Sequence, residues 1–498
     1  MRVLPGTKWV FKVKEDEHGR IARFKARCTA LGNLQKAGLD YEETFSPVAR
    51  FSTVRTLLAI AANRDLEVHQ MDVDTAFLYG EMTDEPELYI PVPDGYPIPA
   101  ELQSVDRSQL VARIDKAIYG LKQSPRLWNA HIDRTMTSHG FTKSPYDPCL
   151  YQRTTMEGVV YVTIYVDDLI IAASSQRLID TFKRELHSVY AMKDLGELKY
   201  CLGMEISRDR RKGTITLTQS KYISDVLTRF RLSGDGKTEL SPMQAELKLS
   251  QSMSPQTDAE REASARFPYR ELIGSVMYLM VSTRPDIAFA VSHLSSFLTC
   301  HGPAHHAAAL HLLRYLRGTK SQGITYGLNK GPLQLLGYSD SDWARDVDTR
   351  RSTSGYVFFL AGGPISWKCK LQPTVALSST EAEYMAITSA AQEAIALRNL
   401  VNDFLHSPDA APSSPVLIYE DNKGCIAMSV NPVLHQASKH IHIRHHFIRE
   451  KVRDGDIRLE YIVTSRMIAD IFTKPLASPS FRRLSEVLMG SKLPHTLS

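Results

Sequence analysis

The sequence predicts a multidomain protein of mixed α/β and α+β class, and three observations predict it. The chain has 498 residues, room for about three domains of ordinary size. Short β-rich runs alternate with helix-period patterns over two regions, about 1–230 and 331–476. Between them, from Leu232 to Arg266, the composition shifts to Ser, Gly, Gln, Glu and Lys with few bulky apolar residues. Hydrophobic residues make up 43% and charged residues 23%, as in an ordinary globular protein. That excludes a wholly disordered chain, a collagen-like fibre and a small disulfide scaffold. Lys and Arg number 60 against 55 Asp and Glu, a net charge of +5. The pI near 8.7 permits a polyanionic partner without demanding one.

The chain opens on Lys8–Lys14, which alternates like a strand, so it reads as the middle of a larger frame. No signal-peptide h-region precedes it, and no apolar run reaches the roughly 18 residues of a membrane helix, so no membrane partner is expected. The six cysteines are scattered without a C-x-x-C pair, which fits a reduced intracellular protein. Residues 231–330 read as a linker and helical connection, with Tyr269, Ile273, Val276 and Met280 at helical spacing. Residues 477–498 read as a polar, mobile tail.

The most informative stretch is Val159–Ala173. Two apolar, β-branched runs flank Asp167 and Asp168, which predicts a hairpin with the acids at its turn. Burying like charges side by side is costly unless a cation neutralises them. A third acid, Asp72, ends the alternating run Val68–Val73. Oxygen ligands from separate strands suit hard cations such as Mg²⁺, with Mn²⁺ an alternative. Two such ions about 4 Å apart activate an attacking hydroxyl and stabilise a leaving group.

Tyr165-Val166-Asp167-Asp168 resembles the Y-x-D-D motif of reverse transcriptases. Gln70–Gly80, Tyr41–Ala49 and Tyr119–Trp128 resemble motifs of the copia-type retrotransposon Pol family. The resemblance implies a right-hand polymerase with fingers, palm and thumb over 1–230, and Asp72, Asp167 and Asp168 as its metal-binding catalytic triad. It places Val73, Phe77, Tyr119 and Gly120 beside the nucleotide. Phe77 is then a steric gate against a 2′-hydroxyl, or else a core aromatic. Arg23, Lys25 and Arg27 share one strand face, suited to triphosphate or template phosphates, or simply solvated. Lys122, Gln123 and Tyr165 are implied template contacts. Lys193 is either a proton donor to pyrophosphate or a surface lysine. Two departures from the family stand out: Cys201 at the primer-grip position and Asp74 where lysine is usual.

A second set of acids follows. Leu333–Asp340 reads as a strand ending in Asp340, and Ser378–Tyr384 as a capping box opening a helix, with Ser378 as cap and Glu381 at its third position. Val416–Asn422 reads as a strand ending in Asp421, and Asp470 is an isolated acid on a helix-like segment. The order strand-Asp, helix-Glu, strand-Asp, helix-Asp resembles the RNase H-like fold in its copia-type version. The resemblance implies that Asp340, Glu381, Asp421 and Asp470 hold two metal ions for hydrolysis of RNA in a hybrid. A histidine found before the last acid in many RNases H is absent from Val463–Met467. His435–Arg453 holds five of the 17 histidines together with Lys439, Arg444 and other cations. Lys439 and Arg444 are expected to track hybrid phosphates, unless that face is merely solvated.

The expectation is therefore an RNA-directed DNA polymerase joined over 331–476 to a ribonuclease H. Its implied partners are RNA template, DNA primer, RNA–DNA hybrid, deoxynucleoside triphosphates and other Pol or capsid products of the element. Its implied location is a cytoplasmic particle and the nucleus. The competing class is a non-enzymatic remnant that binds nucleic acid or a protein.

Overall fold

Alternating apolar residues in the first region pair into one sheet. Gly158–Tyr165 and Asp168–Ala173 form the expected hairpin, and Glu67–Val73 adds to it antiparallel. The computed structural model describes residues 2–4, 6–15, 20–328, 331–405, 414–430 and 442–493. The chain divides into two compact units, Met1–Arg50 with Glu67–Glu197 and Phe51–Leu66 with Leu198–Ser498. It passes between units after Arg50, Leu66 and Glu197, rather than at the sequence boundaries of 230 and 330.

In the first unit the sheet has six strands, in the order Met192–Glu197, Glu67–Val73, Asp168–Ala173, Gly158–Tyr165, Leu150–Thr155, Thr142–Lys143. Every neighbouring pair is antiparallel. The period of two puts Val160, Val162 and Ile164 on one face with Leu169, Ile171 and Ala173. Helices Ser124–Ser138 and Gln176–His187 share that core through Trp128, Ile132, Met136, Ile179 and Phe182. The Ser175 hydroxyl accepts from the Leu178 N–H and starts the second helix. An antiparallel ribbon, Thr7–Glu15 with Ile21–Ala30, pairs Lys12 with Lys25 and Val10 with Arg27. Its other face carries Phe11, Val13 and Phe24, all exposed.

The second unit takes in helix Phe51–Arg64, buried from Thr53 to Ala62. Its Arg55 is 5% exposed. Arg55 Nε donates to the Ile365 carbonyl at 2.8 Å, and Nη1 to those of Val281 and Ser282 at 2.8 and 2.9 Å. The guanidinium lies 3.9 Å from the Trp367 ring centre, and burial lowers its pKa to about 10. A four-stranded antiparallel sheet runs Tyr200–Cys201, Met204–Asp209, Thr214–Thr218, Ile324–Tyr326. Helices Tyr269–Ser282, Ala288–Ser295 and Pro303–Gly318 form one apolar core with Ile468, Ile471 and Phe472. Residues 231–330 therefore belong to this core, and even Met243 and Leu249 of the polar stretch are buried. Inside it, Arg284 donates to both carboxylate oxygens of Asp286 at 2.9 and 2.7 Å, and Tyr315 donates to Asp286 at 2.6 Å.

A five-stranded sheet completes this unit, in the order Gly363–Leu371, Thr353–Leu360, Leu336–Ser341, Val416–Glu420, Ile457–Tyr461. The first three strands are antiparallel and the last two join in parallel, an RNase H-like topology. The 27-residue helix Ser379–Leu405 packs on the strands Leu336–Ser341 and Thr353–Leu360. Within the expected mobile tail, Ser478–Leu488 is a helix that buries Phe481, Leu484, Val487 and Leu488. All six cysteines are free. Among the described residues no helix is long and apolar enough to cross a membrane.

Candidate active sites

The first site grows from strand register. Asp168 stands opposite Asp72 on one neighbouring strand and Tyr165 on the other. The hairpin turns through Val166 and Asp167, and Val166 has φ of 59°, a costly conformation for a β-branched residue. Two hydrogen bonds hold it there. Trp128 Nε1 donates to the Val166 carbonyl at 2.7 Å, and the Val73 N–H donates to the Asp167 carbonyl at 2.9 Å. Gln70 Nε2 donates to Asp168 Oδ1 at 3.0 Å. Burial, reinforced by Asp167, pushes the Asp72 carboxyl up, and burial does the same to Asp168. Asp74 sits partly exposed at the edge of this cluster: Lys193 Nζ lies 2.7 Å from Asp74 Oδ1 and 3.7 Å from Asp72 Oδ2. That hydrogen bond from Lys193 holds Asp74 below the usual carboxylate range.

The structure brings several of the expected nucleotide contacts together. The Phe77 and Tyr119 rings meet edge-on with centroids 5.1 Å apart, and the Arg27 guanidinium lies 5.1 Å from the Tyr119 centroid. Arg23 and Lys25 act electrostatically on Asp74, and Lys25 also on Asp72. Tyr165 is partly exposed at the strand end beside Asp168.

Other expectations need correction. The Val73 side chain is buried in the core and its N–H is already used. Gly120 has φ of 96°, and a Cβ there would meet the Ala30 carbonyl oxygen at 2.1 Å. Its small size serves backbone packing against strand Ile21–Ala30. Gln123 is fully buried, accepting from Gln35 Nε2 at 3.0 Å and donating to the Asp40 carbonyl at 3.1 Å, so it cannot touch nucleic acid. Lys122, by contrast, is only half-buried, with its Nζ reaching the Gln35 carbonyl and the Tyr41 hydroxyl at 3.3 and 3.2 Å. Lys439 lies outside the described residues. Arg444 falls within helix His442–Arg453, and its side chain lies outside the description.

The second site is more tightly gathered. Asp340, Glu383 and Asp421 bring carboxylate oxygens within 4.8 Å of one another, the only such trio among the described residues. The glutamate is Glu383 and not Glu381. Glu381 is spent on the helix start, where its N–H donates to Ser378 Oγ at 3.1 Å and its Oε2 accepts from the Leu377 N–H at 2.7 Å. Glu383 is 6% exposed and lies on the stripe of Ile387, Ala390 and Ala394 that faces the sheet. That helical stripe was the available signal. Asp340 is 2% exposed and accepts from the Thr473 hydroxyl. Asp470 opens the short helix Asp470–Thr473, and Lys474 Nζ lies 2.7 Å from Asp470 Oδ1 and 3.9 Å from Asp340 Oδ2. Thr464, from the segment lacking the histidine, donates to Asp421 Oδ2 at 2.6 Å.

Sequence reasoning missed both Lys474 and Glu420. Glu420 ends the strand before Asp421, fully buried. Burial holds Asp340, Glu383 and Glu420 well above the usual carboxylate range. Burial also raises Asp470, opposed by Lys474. Glu383 Oε2 and Glu420 Oε2 are buried with no hydrogen-bond donor. Orphaned oxygens on convergent, mutually repelling acids are the donor set that a hard divalent cation satisfies.

A family model described as "Reverse transcriptase (RNA-dependent DNA polymerase)" matches residues 2–245. The chain is 40% identical over 483 residues to the "Retrovirus-related Pol polyprotein from transposon TNT 1-94" of Nicotiana tabacum, covering 97% of this chain and 35% of that protein. It is 36% identical over 490 residues to the corresponding polyprotein from transposon RE1 of Arabidopsis thaliana, covering 98% of this chain and 32% of that one. The chain thus spans about a third of the length of these plant relatives. A transposon Ty5-1 protein of Saccharomyces cerevisiae is 35% identical over 324 residues, 65% of this chain and 100% of that protein. Among solved structures, a foamy viral protease-reverse transcriptase in complex with dsDNA overlaps 92% of this chain and 78% of its own, at 13% identity and a TM-score of 0.47. Judged by these sequence relatives, the chain belongs to the reverse transcriptase-bearing Pol polyproteins of copia-type retrotransposons.

Proposed function

We propose that the chain is an RNA-directed DNA polymerase joined to a ribonuclease H, copying element RNA into DNA and degrading the RNA strand of the hybrid. The observation that supports it is the convergence of acids far apart in sequence at two separate places, Asp72 opposite Asp168 and Asp340 with Glu383 and Asp421. Asp72, Asp167 and Asp168 hold Mg²⁺ at the first site; Asp340, Glu383, Asp421 and Asp470 hold it at the second. Bound there, divalent ions lower the pKa of the attacking hydroxyl or water and stabilise the leaving oxygen.

The chain's own residues position the substrates. Phe77, braced by Tyr119, lies under the incoming sugar, where a 2′-hydroxyl would meet its ring. Arg23, Lys25 and Arg27 take triphosphate oxygens from the fingers ribbon. Lys193, steadied by Asp74, stands where it can give a proton to the departing pyrophosphate. The test uses a DNA primer on an RNA template, and separately a labelled hybrid, both with Mg²⁺. Extension and cleavage are the expected results. A chain that binds the hybrid but does neither is the non-enzymatic remnant instead.

A further inference from the structure

Lys474 follows directly on the last acid-bearing helix, and its N–H donates to the Asp470 carbonyl at 3.2 Å, which fixes its backbone. Its side chain is 28% exposed, and its ammonium lies between Asp470 Oδ1 and Asp340 Oδ2. The other half of the cluster differs. Asp421 lies farther from the ammonium, which it meets only through a longer-range electrostatic interaction, and a neutral hydroxyl, that of Thr464, donates to Asp421. Asp340 is common to both halves.

We propose that Lys474 is a resident counter-cation for the Asp340–Asp470 half, which a divalent ion must displace, so that the two halves fill with metal in sequence. This rests on reading the acids as a divalent-metal site. An ion bridging Asp340 and Asp470 would sit roughly 2.1 Å from each oxygen. The ammonium already occupies that side of both carboxylates, so the two cations cannot share it. In the Asp340–Glu383–Asp421 half the ammonium comes no nearer than 3.9 Å to Asp340 Oδ2, against 2.7 Å to Asp470 Oδ1, so that half fills first. The lysine has a second effect, since it neutralises buried acids while metal is absent.

The test uses the full chain carrying Asp167→Asn and Asp168→Asn, so that bound Mn²⁺ reports the nuclease acids. Mn²⁺ is counted by electron paramagnetic resonance, and the melting temperature is read in chelator. The parent should bind a first ion and then a second at least about tenfold more weakly. Lys474→Met should close that gap to about threefold and lower the melting temperature in chelator, with Mn²⁺ restoring it. Lys474→Arg, which keeps the charge, should preserve the gap. If Lys474→Met does not fold, Lys474→Gln, which keeps a donor for Asp470, carries the same measurement. An unchanged second affinity, or loss of both ions together, overturns the counter-cation role. A parent that binds no ion overturns the metal reading beneath it, and the two failures are distinguishable.

Discussion

At the scale of single residues, the sharpest contrast is between two glutamates a helical half-turn apart. Glu383→Gln should lower hybrid cleavage by roughly two orders of magnitude or more, through lost charge stabilisation of the reacting groups. Glu381→Gln should leave the cleavage rate alone and cost at most about 1 kcal/mol, as a weakened helix start. A hybrid-cleavage assay and a melting curve on both variants check this. In the other site, Phe77→Ala should admit ribonucleotides in primer extension. Unchanged sugar discrimination would make Phe77 only the partner of the Tyr119 ring. The strand-ending acids were legible in the sequence, because Asp72 and Asp340 each end an apolar run and Asp167 and Asp168 sit between two, which left the carboxylates few other roles. Glu381 drew the assignment because the capping box marks it, whereas Glu383, one turn into the helix, is marked only by its place on the buried stripe. Lys474 and Glu420 had no local signature at all; only the fold brings them to Asp340.

At the scale of elements, the helices of 269–318 carry polar groups that their sequence hides. Arg284 and Asp286 are two residues apart in a short polar break between helices, yet both are almost wholly buried. Arg284→Met alone should cost about 3–5 kcal/mol, because Asp286 is left charged and unpaired, and pairing it with Asp286→Leu should recover most of that loss. Urea unfolding of the three proteins distinguishes these outcomes. Nearby, His306 stacks on Phe267 with centroids 4.2 Å apart and lies 2.8 Å from His301 Nδ1. Burial, with His301 adding to it, lowers its pKa from 6.5 to about 4. A depressed histidine contributes stability that is complete above the unfolded pKa and is lost as pH falls toward the folded one. The melting temperature should therefore drop between about pH 6.5 and 4, and more steeply than in His306→Phe. The C-terminal helix was missed for a related reason. Phe481, Leu484, Val487 and Leu488 recur at helical spacing, but the polar average of the last twenty residues conceals a single apolar stripe.

For the whole molecule, the proposed function places its two activities on clusters in two different units, which predicts that they can be switched off independently. Asp167→Asn with Asp168→Asn should abolish extension and spare cleavage, and Asp421→Asn should do the reverse. Parallel assays on each variant check this, and joint loss of both activities in either would refute the separation. The coarse two-region plan was visible in composition, but the unit boundaries were not. Hydrophobic pattern reports that a segment is buried, not which core buries it.

Helix Phe51–Arg64 sits upstream of the Asp72-bearing strand Glu67–Val73 yet packs with the unit that continues beyond Leu198. Inheritance in such a chain is not modular along the gene. A recombinant that took its downstream half from a diverged element would set one parent's Arg55 against the other parent's side chain at 367, where this chain has the Trp367 ring. Crossovers after 198 should therefore survive only between close relatives, or where residues 51–66 travel with them. Exchange of the segment beyond 198 among such elements is then constrained by sixteen residues that precede Glu67.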